Sequence, residues 1–171
     1  MTDSRPLGIG KSMQELLATS VELNVVDGVI LPNLKMQGTR EACAYLDVEG
    51  RCSIHPYRPG ICRLFPLGRH YENGGLFYFL QTGECVKENR SKVKVSKWID
   101  TPELKRNEQF KLQWHDLLSA MTDRVAGEDE GKQREENLLL LRLFYLLPYE
   151  GTTDFYSQFT ERMEHWNEQI G

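Results

Sequence analysis

The chain contains four cysteines, and all of them lie between positions 43 and 85. Cys43, Cys52, Cys62 and Cys85 are separated by eight, nine and twenty-two residues, so no two form the C-x-x-C pair typical of zinc fingers. Thiolates are nevertheless the common protein ligands of structural zinc and of iron–sulfur clusters. We therefore predict that the four thiolates converge on one site that holds zinc or an iron–sulfur cluster.

The residues around these cysteines favour a metal-binding role. Glycine lies two positions before Cys52, Cys62 and Cys85, where it lets the backbone turn close to a ligand. The same stretch carries four arginines: Arg51, Arg58, Arg63 and Arg69. Cationic neighbours lower the pKa of a thiol and offset the negative charge of a thiolate cluster. We therefore expect the arginines to favour the thiolate, which is the metal-binding form.

Other interpretations of the same residues stay open. The cysteines could be buried apolar side chains or could form two disulfides, which are rare in reducing compartments. His55, three residues after Cys52, could replace a thiolate, donate a hydrogen bond to the site, or lie partly exposed in a loop. Arg58 could hold the loop around Cys62 through backbone carbonyls, which we favour, or could bind an anionic ligand.

Composition excludes several classes of protein. The chain has 171 residues, 40% of them hydrophobic and 27% charged, which is typical of one globular domain rather than of a disordered chain. A net charge of -4 disfavours nucleic acid as a partner. Residues 1–11 contain no apolar segment typical of a signal peptide, and the apolar stretch 138–148 is too short to span a bilayer. We expect a soluble cytoplasmic protein whose protein partners stay open.

The first 97 residues predict short elements. Met13, Leu16, Leu17 and Val21 have helical spacing after Ser12, which with Glu15 forms a capping-box pattern. The segment 24–34 predicts a turn flanked by short extended pieces, and the turn residues 73–75 predict a β-hairpin between 68 and 80. Such a hairpin would span the long gap from Cys62 to Cys85.

The remaining residues predict three helices. The first begins at Thr101-Pro102-Glu103 and carries Phe110, Trp114, Leu117 and Met121 on one face. The others are expected from 133 to 147 and from 153 to 168. We therefore predict a mainly α member of the α+β class. An irregular cysteine-rich module with a β-hairpin, residues 1–97, packs on a C-terminal helical layer, residues 98–171, as one domain.

The segment CAYLDVEGRCSIHPYRPGICRLFPLGR resembles the core of the YkgJ-type cysteine-cluster proteins. The matching elements are Cys43 with Tyr45-Leu46, Gly50-Arg51-Cys52, Ile54, Tyr57-Arg58-Pro59, Cys62-Arg63, Phe65-Pro66 and the downstream Cys85. Members of that family are described as zinc- or iron-chelating domains and usually carry an upstream C-x-x-C-x-x-C-C block. This chain has no cysteine before Cys43, so the four present would form either one complete four-thiolate site or half of a larger set.

Three functions follow as hypotheses. The first is a binding module that holds zinc or an iron–sulfur cluster through Cys43, Cys52, Cys62 and Cys85. The second is an iron–sulfur-dependent oxidoreductase or methyl-transferring enzyme, because the resemblance extends to the flagellin lysine N-methylases. It would need a pocket or an open coordination position beside the cysteines. The third is a metal-free structural or interaction protein, in which Cys62→Ser would cause only a small loss of stability.

Overall fold

The computed structural model describes residues 9–39, 41–84 and 91–170, and its fold is mixed α+β, as predicted. The N-terminal part contains one short helix and two hairpins. These elements are α1 (Met13–Thr19), β1 (Val21–Val26), β2 (Val29–Leu34), β3 (Met36–Gln37) and β4 (Ala42–Cys43). Strand β1 pairs antiparallel with β2, and β3 pairs antiparallel with β4.

A third hairpin follows the cysteine segments. It is preceded by a 3-10 turn and a one-turn helix, and is followed by another short helix. These elements are the turn His55–Tyr57, α2 (Gly60–Leu64), β5 (Leu67–Glu72), β6 (Gly75–Leu80) and α3 (Val95–Ile99). The β5–β6 hairpin turns at Asn73 and Gly74, which both have positive φ angles.

Three long helices form the C-terminal layer. They are α4 (Leu104–Val125), α5 (Glu130–Leu141), which continues as a π-helical segment (Arg142–Leu146), and α6 (Phe155–Ile170). Their facing sides form a dense aromatic core. Phe110 contacts Phe155 and Phe159 edge-to-face, and Trp114 contacts Phe144 in the same way. Such pairs stabilise a core beyond the area that they bury.

The predicted elements are confirmed in kind and corrected at their ends. Helix α1 has the capping box, with the Ser12 hydroxyl and the Glu15 carboxylate each bonded to the other's backbone N–H. Helix α4 begins at Leu104 instead of at Thr101-Pro102, because Glu103 has a left-handed backbone conformation that ends the preceding turn. Helix α5 begins three residues earlier than predicted, because the Asp129 side chain accepts hydrogen bonds from two backbone N–H groups and caps it. Helix α3 was not predicted.

One buried side chain joins the β1–β2 hairpin to the helical layer. Asn137 of α5 is 3% exposed. Its amide oxygen accepts the Ile30 backbone N–H at 2.6 Å, and its amide nitrogen donates to the Gly28 carbonyl at 3.1 Å. Val29, between those two residues, belongs to the aromatic core of the helices. The hairpin turn is therefore held by hydrogen bonds and by packing at the same place.

A membrane-crossing helix is not found in the described part of the chain, since no helix there is both long enough and apolar enough.

We predict that Asn137→Ala lowers the free energy of unfolding by about 2–3 kcal/mol, because it removes a buried side chain and the two partly buried hydrogen bonds that hold the hairpin turn. Urea denaturation followed by circular dichroism measures this loss. The matched control Asn167→Ala, at an exposed position of α6, is expected to change stability by less than about 0.5 kcal/mol. Equal effects of the two substitutions would contradict the assignment of Asn137 as the link.

A second prediction concerns the close approach at the hairpin turn. A Cβ at Gly28, where φ is +81°, would lie 2.8 Å from Cγ2 of Val125. Gly74 has a similar φ of +70°, but a Cβ there would meet no atom within 4 Å. Gly74→Ala is expected to cost about 1 kcal/mol from backbone strain, and Gly28→Ala about 1–3 kcal/mol more from overpacking. Thermal or urea unfolding of the Gly28→Ala and Gly74→Ala variants separates the cost of backbone strain from the cost of overpacking.

Candidate metal centre

Cys43 and Cys52 are brought toward each other by one turn of the chain. Cys43 ends strand β4, and its carbonyl accepts the Leu46 N–H at 3.0 Å. Leu46 then pairs with Cys52 in an isolated antiparallel bridge, and the Ser53 N–H donates to the Tyr45 carbonyl at 2.8 Å. The two cysteines therefore lie on adjacent backbone segments.

The turn between them is stabilised by acidic side chains. The Asp47 carboxylate accepts the backbone N–H groups of Glu49 and Arg51 at 2.9 and 2.8 Å. Gly50 in this turn has φ +76°, a conformation that favours glycine, as expected from its place before Cys52. The Arg51 side chain forms ion pairs with Asp47 and Glu49. The charge of Arg51 is therefore offset by these acids instead of being directed only at the thiols.

Cys62 lies in the short helix α2, where its N–H donates to the Pro59 carbonyl at 2.9 Å. The loop before it is held by Arg63, which donates to the Pro56 carbonyl at 2.9 Å and to the Arg58 carbonyl at 3.4 Å. We expected Arg58 to have this role, and the structure assigns it to the neighbouring arginine. The Nε of Arg58 is buried without a hydrogen-bond partner among the described residues.

The three described thiols share one electrostatic environment. Burial raises the pKa of the Cys62 thiol, and the charges of Cys43 and Cys52 raise this pKa further. Arg58 lowers the same pKa, but by less than these effects raise it. Arg58 therefore acts on the Cys62 thiol in the expected direction, but the net pKa is raised because desolvation and like charge dominate there. These contributions predict that Cys43 and Cys52 lie within electrostatic range of Cys62.

The described residues do not form a finished metal site. Cys43, Cys52 and Cys62 are half-buried free thiols, so no disulfide joins any two of them. Among residues 9–39, 41–84 and 91–170, no group of three or more His, Cys, Asp or Glu side chains is arranged to hold a metal ion. Cys85, the fourth predicted ligand, lies outside the described residues.

The two histidines of the cysteine region occupy different places. His55 begins the 3-10 turn and is exposed, and its backbone N–H donates to the Cys52 carbonyl at 3.2 Å. It borders an open cleft with Arg58 and Arg63. His70 lies on the β5–β6 hairpin, where its ring stacks on Phe77 with a centroid distance of 5.3 Å. His70 therefore has an aromatic partner on the hairpin.

A cavity of about 370 Å³ lies beside the cysteine segments. Its wall contains Tyr45, Ile54 and Tyr57 from these segments, together with Phe144 and Tyr149 from the helical layer. The sequence analysis did not identify this cavity. The available signal was the position of the three wall residues, each within five residues of a cysteine. Their role became visible only once the distant helical layer was packed against them.

No family model matches the chain, and neither a curated protein nor a solved structure with significant similarity was found. The resemblance to the YkgJ-type proteins therefore stays a prediction that rests on the quoted residues.

The electrostatic contact between the thiols can be tested by alkylation. In chelator-treated protein, the raised pKa keeps Cys62 protonated to higher pH, so iodoacetamide should modify it more slowly at pH 8 than an ordinary exposed cysteine of pKa about 8.5. Because a neighbouring thiolate raises this pKa, Cys43→Ser should shift the alkylation midpoint of Cys62 to lower pH. Peptide mass spectrometry measures the rates. Ser119→Ala, at an exposed position of α4, is the control, and an unshifted midpoint in Cys43→Ser would contradict the proximity of the two thiols.

Proposed function

We propose that the protein is a cysteine-cluster metal-binding protein in which Cys43, Cys52, Cys62 and Cys85 hold a structural metal centre. A single zinc ion in a four-thiolate site is the first candidate, and an iron–sulfur cluster on the same ligands is the second. The observation that carries the proposal is that Cys43 and Cys52 lie on adjacent backbone segments, and that these two and Cys62 are all half-buried free thiols. Thiolate donors suit both candidates.

The weak packing of the cysteine segments supports a structural role for the metal. Of the described residues from 35 to 63, Pro59 alone is buried. The β3–β4 hairpin has only two residue pairs, and a helix of five residues carries Cys62. Segments shorter than about 40 residues with so little core usually require a disulfide or a metal to keep a defined structure. A metal that cross-links three or four points of this segment would supply that constraint.

The raised pKa of the Cys62 thiol is consistent with a site that a bound cation would stabilise. The pKa of Cys62 is raised by burial and by the neighbouring thiols, so bringing the thiolates together without a cation is unfavourable. A bound cation reverses this repulsion, and thiol protons are released as it binds. The described residues hold no group of three converged ligands, so metal binding requires the cysteine-bearing turns to move together.

We predict that protein purified without oxygen contains about one zinc per chain, or iron with matching acid-labile sulfide. Each of Cys43→Ser, Cys52→Ser, Cys62→Ser and Cys85→Ser should lower the metal content. His55→Gln should leave it unchanged, because the imidazole is exposed and is not a proposed ligand. Elemental analysis with a sulfide assay gives the composition. Chelation should lower the thermal midpoint, since structural zinc contributes on the order of 10 kcal/mol to folding.

The possible compositions have distinct meanings. Zinc without sulfide supports the single-ion site, and iron with equal sulfide supports the cluster. Four free thiols with neither metal, together with a Cys62→Ser variant as stable as the parent, would overturn the proposal. That result would favour the metal-free structural protein. If His55→Gln loses metal and one of the cysteine variants retains it, the imidazole of His55 is a ligand in place of that thiolate.

A further inference from the structure

The cavity beside the cysteine segments has the size of a ligand-binding site. Its volume is about 370 Å³. Protein interiors contain few voids larger than a water molecule, whereas small-molecule sites begin near 300 Å³. The segments that carry the three described cysteines contribute Tyr45, Ile54 and Pro59 to its wall, but none of those three cysteines lines it. The space is therefore separate from the thiols, although the same segments build both.

The wall of the cavity is mainly apolar. Leu16 of α1, Val21 of β1 and Leu34 of β2 form one side, and Phe144 with Leu147 forms another. Val21 and Phe144 are each 1% exposed, so these parts of the wall are fixed in the core. An apolar wall of this kind favours a hydrocarbon ligand over a polar one.

The wall from the helical layer is also held in place by hydrogen bonds. Arg162 of α6 is 7% exposed and donates to the carbonyls of Leu143, Leu147 and Pro148 at 2.7, 2.9 and 2.8 Å. Its guanidinium carbon also lies 3.5 Å from the centroid of the Tyr149 ring. The segment from 143 to 149 is thus preorganised, which reduces the entropy that a ligand would lose on ordering it.

Among the polar residues of the wall, the exposed Lys11 and the partly buried Tyr149 best suit the head group of an anionic ligand. Lys11 is the only charged residue among the described residues that line the cavity. Tyr149 also lines it, and its buried hydroxyl has no hydrogen bond of good geometry among the described residues, although the adjacent Arg162 guanidinium interacts with it and lowers its pKa. Burial raises the pKa of Tyr149, so the hydroxyl stays a donor at neutral pH. A cationic amine and a hydroxyl donor both suit an anionic oxygen.

We infer that this cavity binds a medium-chain carboxylic acid, with the hydrocarbon chain against the apolar wall and the carboxylate toward Lys11. A cavity near 150 Å³ holds benzene, so this space suits a chain of about ten carbons. The inference concerns a ligand other than the metal and does not require the proposed metal centre to be correct.

Calorimetric titration of the full chain, as purified, with decanoate tests this site. We expect saturable binding of one decanoate per chain and weaker binding of decanol, which has the same chain without the charge. Lys11→Met should weaken decanoate binding about two- to fivefold and leave decanol binding unchanged, as for one partly exposed charge pair. Lys105→Met, at an exposed position of α4, is the matched control.

A steric pair tests the location of the chain. Leu16→Trp should fill the cavity and weaken decanoate binding at least about tenfold, since overpacking leaves no room for the ligand. Leu17→Trp changes the next residue of the same helix, which does not line the cavity among the described residues, and should retain binding. If Leu16→Trp fails to fold by circular dichroism, Ile54→Phe makes the same test from the cysteine side.

The outcomes are separable from those of the metal analysis. Absence of saturable decanoate binding, equal affinity for decanol, or unchanged affinity in the folded cavity-filling variant would each overturn the inference. Zinc, iron and sulfide are measured on the same samples. If protein that contains metal does not bind decanoate, the ligand site is overturned and the metal centre is not. If protein without metal binds decanoate, the ligand site is supported independently of the metal centre.

Discussion

The positions of Cys43 and Cys52 depend on how the N-terminal hairpin is fixed to the helices. Asn137 holds the Gly28–Ile30 turn, and the far end of that hairpin then carries the cysteine segments. There, the Lys35 N–H donates to the Ser20 carbonyl and the Ala44 N–H donates to the Lys35 carbonyl. A hydrogen bond of 2.6 Å between the hydroxyls of Ser20 and Tyr45 reinforces the same junction. The buried Asn137 amide therefore fixes the hairpin from which the turns that carry Cys43 and Cys52 extend.

The two halves of the protein are stabilised by different means. The helical layer has an aromatic core in which Phe144 and Phe159 are each 1% exposed. The segment from 35 to 63 has almost no core of its own and relies on short backbone turns. This contrast is the physical reason to propose a structural metal there. The charges of Cys43 and Cys52 raise the pKa of the Cys62 thiol, and a bound cation would convert that repulsion into attraction.

Much of the fold could be predicted because its signals are local. The Ser12 cap, the turn residues Asp27-Gly28 and Asn73-Gly74, and the periodic apolar faces of the long helices depend on neighbouring residues only. The missed features depend on tertiary contacts. Helix α3 is too short to show a period, although its Trp98 indole donates to the Phe65 carbonyl across 33 residues. The cavity is formed only where the N-terminal elements, the cysteine segments and the helical layer pack together. For the candidate metal site, sequence spacing could select the four cysteines but could not assign the supporting loop contact to Arg63 instead of Arg58.

The central claim is that cysteine thiolates from separate turns bind one metal centre. X-ray absorption spectroscopy at the zinc and iron edges of anaerobically purified protein tests it most directly. We predict a first shell of four sulfur atoms at about 2.3 Å from zinc, or iron–sulfur and iron–iron distances typical of a cluster. A first shell made only of nitrogen and oxygen atoms, or the absence of either metal, would contradict the account.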